Sequence, residues 1–226
     1  MSQDGNRRAA VFYDVDGTLV NSNVITAYLY YAMRLPKLSE RMRRLTRAAM
    51  LAPVYAAAEL TNRGLFNRLF YANYKGMPHE RLRLMGREAA EKAFLPNMYR
   101  EARKRVRKAR EMGLTQVIVS GALDMIMEPF AKELGIDYVI ANRLEFSGDK
   151  ATGKLIPPIL AGNEKRTAVE RFARQHNIDL SRSYAFGDSR ADLPMLETVG
   201  FPAVVNPGDE LAKIAGERAW PVLHFA

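Results

Sequence analysis

Five short apolar runs that lack polar alternation constrain the fold of this chain more than any other feature: Ala9 to Tyr13, Thr115 to Ser120, Tyr138 to Ala141, Ser183 to Phe186 and Pro202 to Val205. A strand with one wet face alternates apolar and polar residues, whereas a strand covered on both faces does not. These runs therefore read as strands of a parallel sheet buried between two layers. Helix-like segments at Asn97 to Met112, Leu123 to Leu134, Glu164 to Gln175, Ala191 to Thr198 and Glu210 to Ala215 are interleaved with them. The alternation predicts an α/β fold. Leu144 to Leu155, with Gly148 and Gly153 in its middle, predicts a short hairpin.

One interval breaks the alternation. From Asn21 to about Leu95 there is no convincing strand, and a Leu-, Met-, Ala- and Arg-rich sequence is broken at Pro36, Pro53, Gly64 and Pro78. That pattern predicts several helices in a small module inserted after the first strand, because ordinary connections are far shorter. The expected organisation is a core of residues 1–21 and 96–226 with a helical cap of residues 22–95. A chain of 226 residues can bury one substantial core with such a module beside it.

The insertion leaves the first strand directly after Asp14-Val15-Asp16-Gly17-Thr18. Side chains two apart in a strand project the same way, roughly 6 to 7 Å apart, so one carboxylate can attack while the other manages a proton. The cap is expected to sit over this pair. A polar strand-to-loop turn rich in Asp and Gly would look the same in isolation.

Other strand ends carry polar groups as well. Ser120-Gly121 fits either an ordinary helix N-cap or an anion cradle at the carboxyl edge of the sheet. Lys165, opening a helix after Gly162, fits either a surface lysine or a phosphate counter-charge. Gly187-Asp188-Ser189-Arg190-Ala191-Asp192 places a second acidic pair at a strand end, where it could cap the next helix. Independent caps explain the four features together poorly.

In that order, Asp14-Val15-Asp16-Gly17-Thr18, Val119-Ser120-Gly121, Lys165, and Gly187-Asp188-Ser189 with Asp192 resemble the four motifs of the haloacid dehalogenase-like hydrolases. The insertion after the first motif is similar to that of the phosphoserine phosphatase-like subfamily. The resemblance implies a doubly wound, Rossmann-like parallel sheet with an all-helical cap. It also implies a phosphatase in which Asp14 is the nucleophile and Asp16 the proton donor and acceptor. Ser120, Gly121 and Lys165 would bind the phosphoryl group. Mg²⁺ would be held by Asp14, Asp16 through its main-chain carbonyl, and Asp188, with Asp192 in support.

The implied substrate is a small phosphate ester. Phosphoserine itself is not implied: Asn23 stands where that subfamily has a glutamate, local matching brings its cap arginine near Phe70, and Ala191 stands where it has an asparagine before the last aspartate. Cap aromatics such as Tyr28, Phe70 and Tyr74 read mainly as core, with an apolar groove for a phosphorylated lipid-like molecule as the alternative. A phosphate-binding protein without turnover is a further alternative, although pure binding has no use for Asp16.

Composition narrows the partners. The net charge is +9, and residues 24–94 carry thirteen Lys and Arg against five Asp and Glu, which favours anionic partners by long-range attraction. Nucleic acid is not expected, because the basic runs come without a recognisable binding module. Membrane insertion is not expected either, since the longest apolar candidate, Ala48 to Ala58, is short and contains Pro53. The polar stretch Met1 to Arg8 resembles no secretion signal, and the chain has no cysteine, so a cytoplasmic location is expected. The oligomeric state is left open.

Overall fold

The computed structural model describes residues 8–226, so Met1 to Arg8 lies, apart from Arg8, outside the described residues. The strands are β1 (Ala10–Tyr13), β2 (Thr115–Leu123), β3 (Tyr138–Ser147), β4 (Lys150–Ile156), β5 (Tyr184–Gly187), β6 (Phe201–Val205) and β7 (Val222–Leu223). They form one sheet in the order β4-β3-β2-β1-β5-β6-β7. Every pairing is parallel except β3 with β4, the antiparallel hairpin. β7, two residues long, has no counterpart among the expected strands; so short a strand leaves no periodic signal.

After β1 the helices run α1 (Val24–Met33), α2 (Leu38–Met50), α3 (Ala52–Thr61), α4 (Arg63–Tyr71) and α5 (His79–Ala89). A π-helical turn (Ala90–Phe94) and a 3-10 turn (Leu95–Asn97) lead into α6 (Arg100–Glu111). The remainder are α7 (Asp124–Leu134), α8 (Asn163–His176), α9 (Leu193–Leu196) and α10 (Asp209–Glu217).

Two-residue periodicity along β1 shows why the sheet is covered twice. Ala10 and Phe12 join a cluster with Val169 and Phe172 of α8, Leu196 of α9 and Leu211 of α10. Val11 and Tyr13 join the opposite cluster with Val106 of α6 and Phe130 of α7. Successive side chains of a strand point to opposite faces, so each face needs its own helical layer.

The strand order reverses at β1. Chain direction carries β2 and β3 away on one side and β5 and β6 on the other, which leaves a crevice beyond the carboxyl end of β1 where ligands of such sheets bind.

The helical segment folds as its breakers suggest. Pro36 separates α1 from α2, Pro53 lies in the first turn of α3 and Pro78 caps α5, positions where a missing N–H costs nothing. Asn23 caps α1, accepting from the Ile25 and Thr26 N–H groups at 3.0 and 3.1 Å. Inside the segment, aromatic rings pack on each other: Phe66 stacks on Phe70 at 5.4 Å, and Tyr28 meets Phe70 edge-on at 5.6 Å. These rings are core and do not line an apolar groove. Gly86 of α5 lies so close to α7 that a Cβ there would sit 2.3 Å from the Met125 carbonyl oxygen.

Candidate active site

Four of the expected residues meet at the carboxyl edge of the sheet. Asp14 leaves β1 with its N–H donating to the Phe186 carbonyl of β5 at 2.9 Å. Asp188 follows β5, Lys165 sits in the first turn of α8, and Asp192 closes a short 3-10 turn. The Lys165 ammonium donates to Asp14 Oδ1 and to Asp192 Oδ1, each at 2.6 Å. Carboxylate oxygens of Asp14, Asp188 and Asp192 lie within 4.8 Å of one another.

Gly17 makes this convergence possible. Its φ of +82° suits glycine, and a Cβ at that position would stand 2.2 Å from Asp188 Oδ2. Thr18, next along the turn, donates from Oγ1 to Asp188 Oδ1 at 3.2 Å and approaches Asp14 Oδ2 at 3.5 Å. The Asp192 carboxylate is committed on both sides, because its Oδ2 also accepts from the Ser189 N–H and hydroxyl at 3.1 and 2.7 Å.

Burial governs the charge states. Asp14 is pushed up to about 7, first by burial and then by the Asp192 charge, with Lys165 pulling the other way. Asp188 is pushed up to about 9 by burial and by its carboxylate neighbours. Asp192 is held below the usual carboxylate range because the Lys165 ammonium and the Ser189 hydrogen bonds outweigh its burial. The two adjacent carboxylates hold the Lys165 ammonium above its ordinary value despite its burial. Three carboxylates around one ammonium are short of positive charge, and they offer the oxygen donors that a hard divalent cation takes.

Asp16 stands apart from this cluster. Ser22 donates to its Oδ1 at 2.7 Å, and burial raises its pKa, an effect eased by that hydrogen bond and by Arg63 of α4. Its carboxyl group is thus biased toward the neutral form that a proton donor needs.

Ser120 and Gly121 reach the same edge through pairing of β1 with β2, in which Tyr13 lies opposite Ile118. They do not start a helix as expected. β2 continues through a register shift to Leu123, opposite Asn142 of β3, and α7 starts at Asp124. The buried Asn142 side chain extends the pairing: it donates to the Gly121 carbonyl at 2.8 Å and accepts from the Leu160 N–H at 2.8 Å. Tyr71 of α4 donates to the same Gly121 carbonyl at 2.9 Å.

Asn142 and Ser22 are marked by no local motif in the sequence. Asn23, matched there to a substrate-binding position, is occupied as a helix cap. A cleft of about 1230 Å³ opens between α3–α4 and the loops before α8 and α9, with Arg63 and Ser189 in its wall. It lies beside the acidic cluster, whose aspartates and lysine are not among its lining residues.

A parallel sheet that gathers buried carboxylates and a lysine at its carboxyl edge, next to an inserted helical segment, is the architecture of an α/β enzyme. The haloacid dehalogenase-like hydrolase family matches residues 11–197, and the chain belongs to that family. It is 30% identical to a probable phosphatase of Mycobacterium tuberculosis, over 97% of this chain and 76% of that protein. Among solved structures, a Bordetella pertussis protein of unknown function superposes with a TM-score of 0.84 at 22% identity, covering 96% of this chain and 99% of that one. A phospho-aspartyl intermediate analogue of a phosphoserine phosphatase superposes at 0.68 with 23% identity, covering 96% and 94%. At those identities the two structures speak to the fold alone. Among the described residues no helix is long and apolar enough to cross a membrane.

Proposed function

We propose that the chain is a Mg²⁺-dependent phosphomonoester hydrolase working through an aspartyl-phosphate on Asp14, with residues 22–95 as a cap over a core of residues 1–21 and 96–226. The family and the phosphatase relative support phosphoester hydrolysis. What carries the mechanism is the Lys165 ammonium, which bridges Asp14 and Asp192 at 2.6 Å each while Asp188 stands within 4.8 Å.

In this reading Asp14 Oδ2 attacks phosphorus in line while Lys165 fixes Oδ1, which splits one hard displacement into two easier ones. Asp16 protonates the leaving alcohol, then takes the proton of the water that hydrolyses the acyl phosphate. Ser120, the Gly121 N–H and Lys165 bind the phosphoryl oxygens as charge redistributes. Asp192 keeps Lys165 in place. Mg²⁺, held by Asp14, the Asp16 main-chain carbonyl and Asp188, would supply the positive charge that lets a phosphate approach this cluster. The substrate is a small phosphate ester, and the site of action is the cytoplasm.

A screen of phosphorylated metabolites and lipids, with and without Mg²⁺, tests the proposal. Wild-type protein should turn over at least one ester, lose that activity in EDTA and regain it with Mg²⁺. Asp14→Asn should lower kcat by at least about 10³. Undiminished turnover in that variant would contradict the mechanism.

A further inference from the structure

Helix α4 presents a stripe at helical spacing toward the site: Arg63, Asn67 and Tyr71. Tyr71 holds the Gly121 carbonyl, and Arg63 lies within electrostatic reach of Asp14 and Asp16 while pairing with Glu59. Asn67, between them, is different. Its side chain is fully buried, yet neither Nδ2 nor Oδ1 has a hydrogen-bond partner. The amide lies against the phosphoryl-binding backbone, since a Cβ placed on Gly121 would be 3.2 Å from Nδ2.

A buried amide with a donor and an acceptor both unsatisfied is a standing cost that an apolar residue of similar volume would remove. The neighbouring amides differ: Asn142 uses both ends, and Asn73 donates from Nδ2 to the Tyr55 hydroxyl and the Phe70 carbonyl at 2.6 and 2.8 Å, although its own Oδ1 has no partner. Asn67 is set apart by having both ends of its amide unpartnered, beside Gly121. An amide offers one acceptor edge and one donor edge, and a hydroxyl group both donates and accepts.

We propose that Asn67 is a specificity-determining residue that recognises a hydroxyl group on the leaving alcohol, so that the preferred substrates are monophosphates of polyhydroxylated alcohols. This rests on the phosphatase reading above and names the substrate class for that site. Arg63, one turn earlier, pairs with Glu59 and lies within electrostatic reach of Asp14 and Asp16.

Glycerol 3-phosphate and n-propyl phosphate differ only in two hydroxyl groups and form the test pair, with p-nitrophenyl phosphate as a probe without an alcohol hydroxyl. Wild-type protein should favour glycerol 3-phosphate over n-propyl phosphate in kcat/KM by about 100-fold or more, because a site with buried polar groups rejects an analogue that leaves them unpaired. Asn67→Leu should reduce that preference to below about tenfold, mainly through KM, with a smaller loss on p-nitrophenyl phosphate than on glycerol 3-phosphate. The same variant should melt no lower than wild type in the absence of substrate, since it removes two unsatisfied atoms. Asn67→Gln, which keeps the amide, should retain part of the preference.

Equal loss on all three esters, or an unchanged preference in Asn67→Leu, overturns the assignment, as does a wild-type protein that treats the test pair alike. Failure of the underlying phosphatase reading shows differently: Asp14→Asn would then hydrolyse p-nitrophenyl phosphate as fast as wild type.

Discussion

The carboxyl edge of the sheet and the helical segment next to it are both buried, but they are stabilised by opposite means. At the sheet edge, Asp14, Asp188 and Asp192 crowd one lysine, and two of the three carboxyl groups are driven well above their ordinary range. In the helical segment, stacked and edge-on rings bury apolar area without a buried carboxylate cluster among them, and the guanidinium of Arg63 lies over the Phe66 ring. The first region sacrifices stability for a poised electrostatic arrangement. The second supplies the packing that holds the helices together.

Removing the single cation should separate the two regions most sharply. Lys165→Met leaves the carboxylates without their buried counter-charge, so it should abolish turnover and cost about 3–5 kcal/mol at about pH 8, with a smaller loss near pH 5 where Asp14 and Asp188 are protonated. Chemical denaturation at the two pH values reads the difference. A loss independent of pH would mean that the acidic cluster is not electrostatically strained.

A gentler probe is the pH dependence of the metal-free protein. Asp14 and Asp188 bind protons more tightly when folded, with values raised to about 7 and about 9, so their contribution is complete below the ordinary carboxylate range and is lost as pH rises through those values. Asp192, shifted down, works the other way and matters only in acid. The melting temperature in EDTA should therefore fall between about pH 6 and about pH 9, and Mg²⁺ should raise it more at the alkaline end. Equal stabilisation by Mg²⁺ at both ends would place the cation elsewhere.

The smallest expected effect lies in the helical segment. Asn23→Ala removes the cap of α1 and should cost about 1 kcal/mol, the same at both pH values, with turnover preserved. A collapse of activity in that variant would give Asn23 a substrate-binding role after all.

The same contrast explains what could be read from the sequence. Asp14, Asp16, Asp188 and Asp192 stand in short local motifs at strand ends, Lys165 opens a helix after Gly162, and unalternating strands announce a sheet covered on both faces. The structure brings four of those five into one cluster, with Asp16 beside it on Ser22. The helical segment shows only its breakers in sequence. Which aromatic meets which, and that Asn67 and Tyr71 turn toward Gly121, depends on the angles at which helices cross, and side-chain spacing carries no record of those. The β2 bulge escaped notice for a related reason: Gly121-Ala122-Leu123 reads as an approach to a helix until Asn142, on another strand, catches the Gly121 carbonyl.

The contact between Gly86 and Met125 has a bearing on traffic. With backbone resting on backbone there, α5 is riveted to α7 along one flank, and even a methyl group would wedge the two apart. In the proposed enzyme an incoming ester would use the wide cleft bordered by α3 and α4. Molecules would come and go past Arg63, leaving the riveted side as the fixed wall of the chamber.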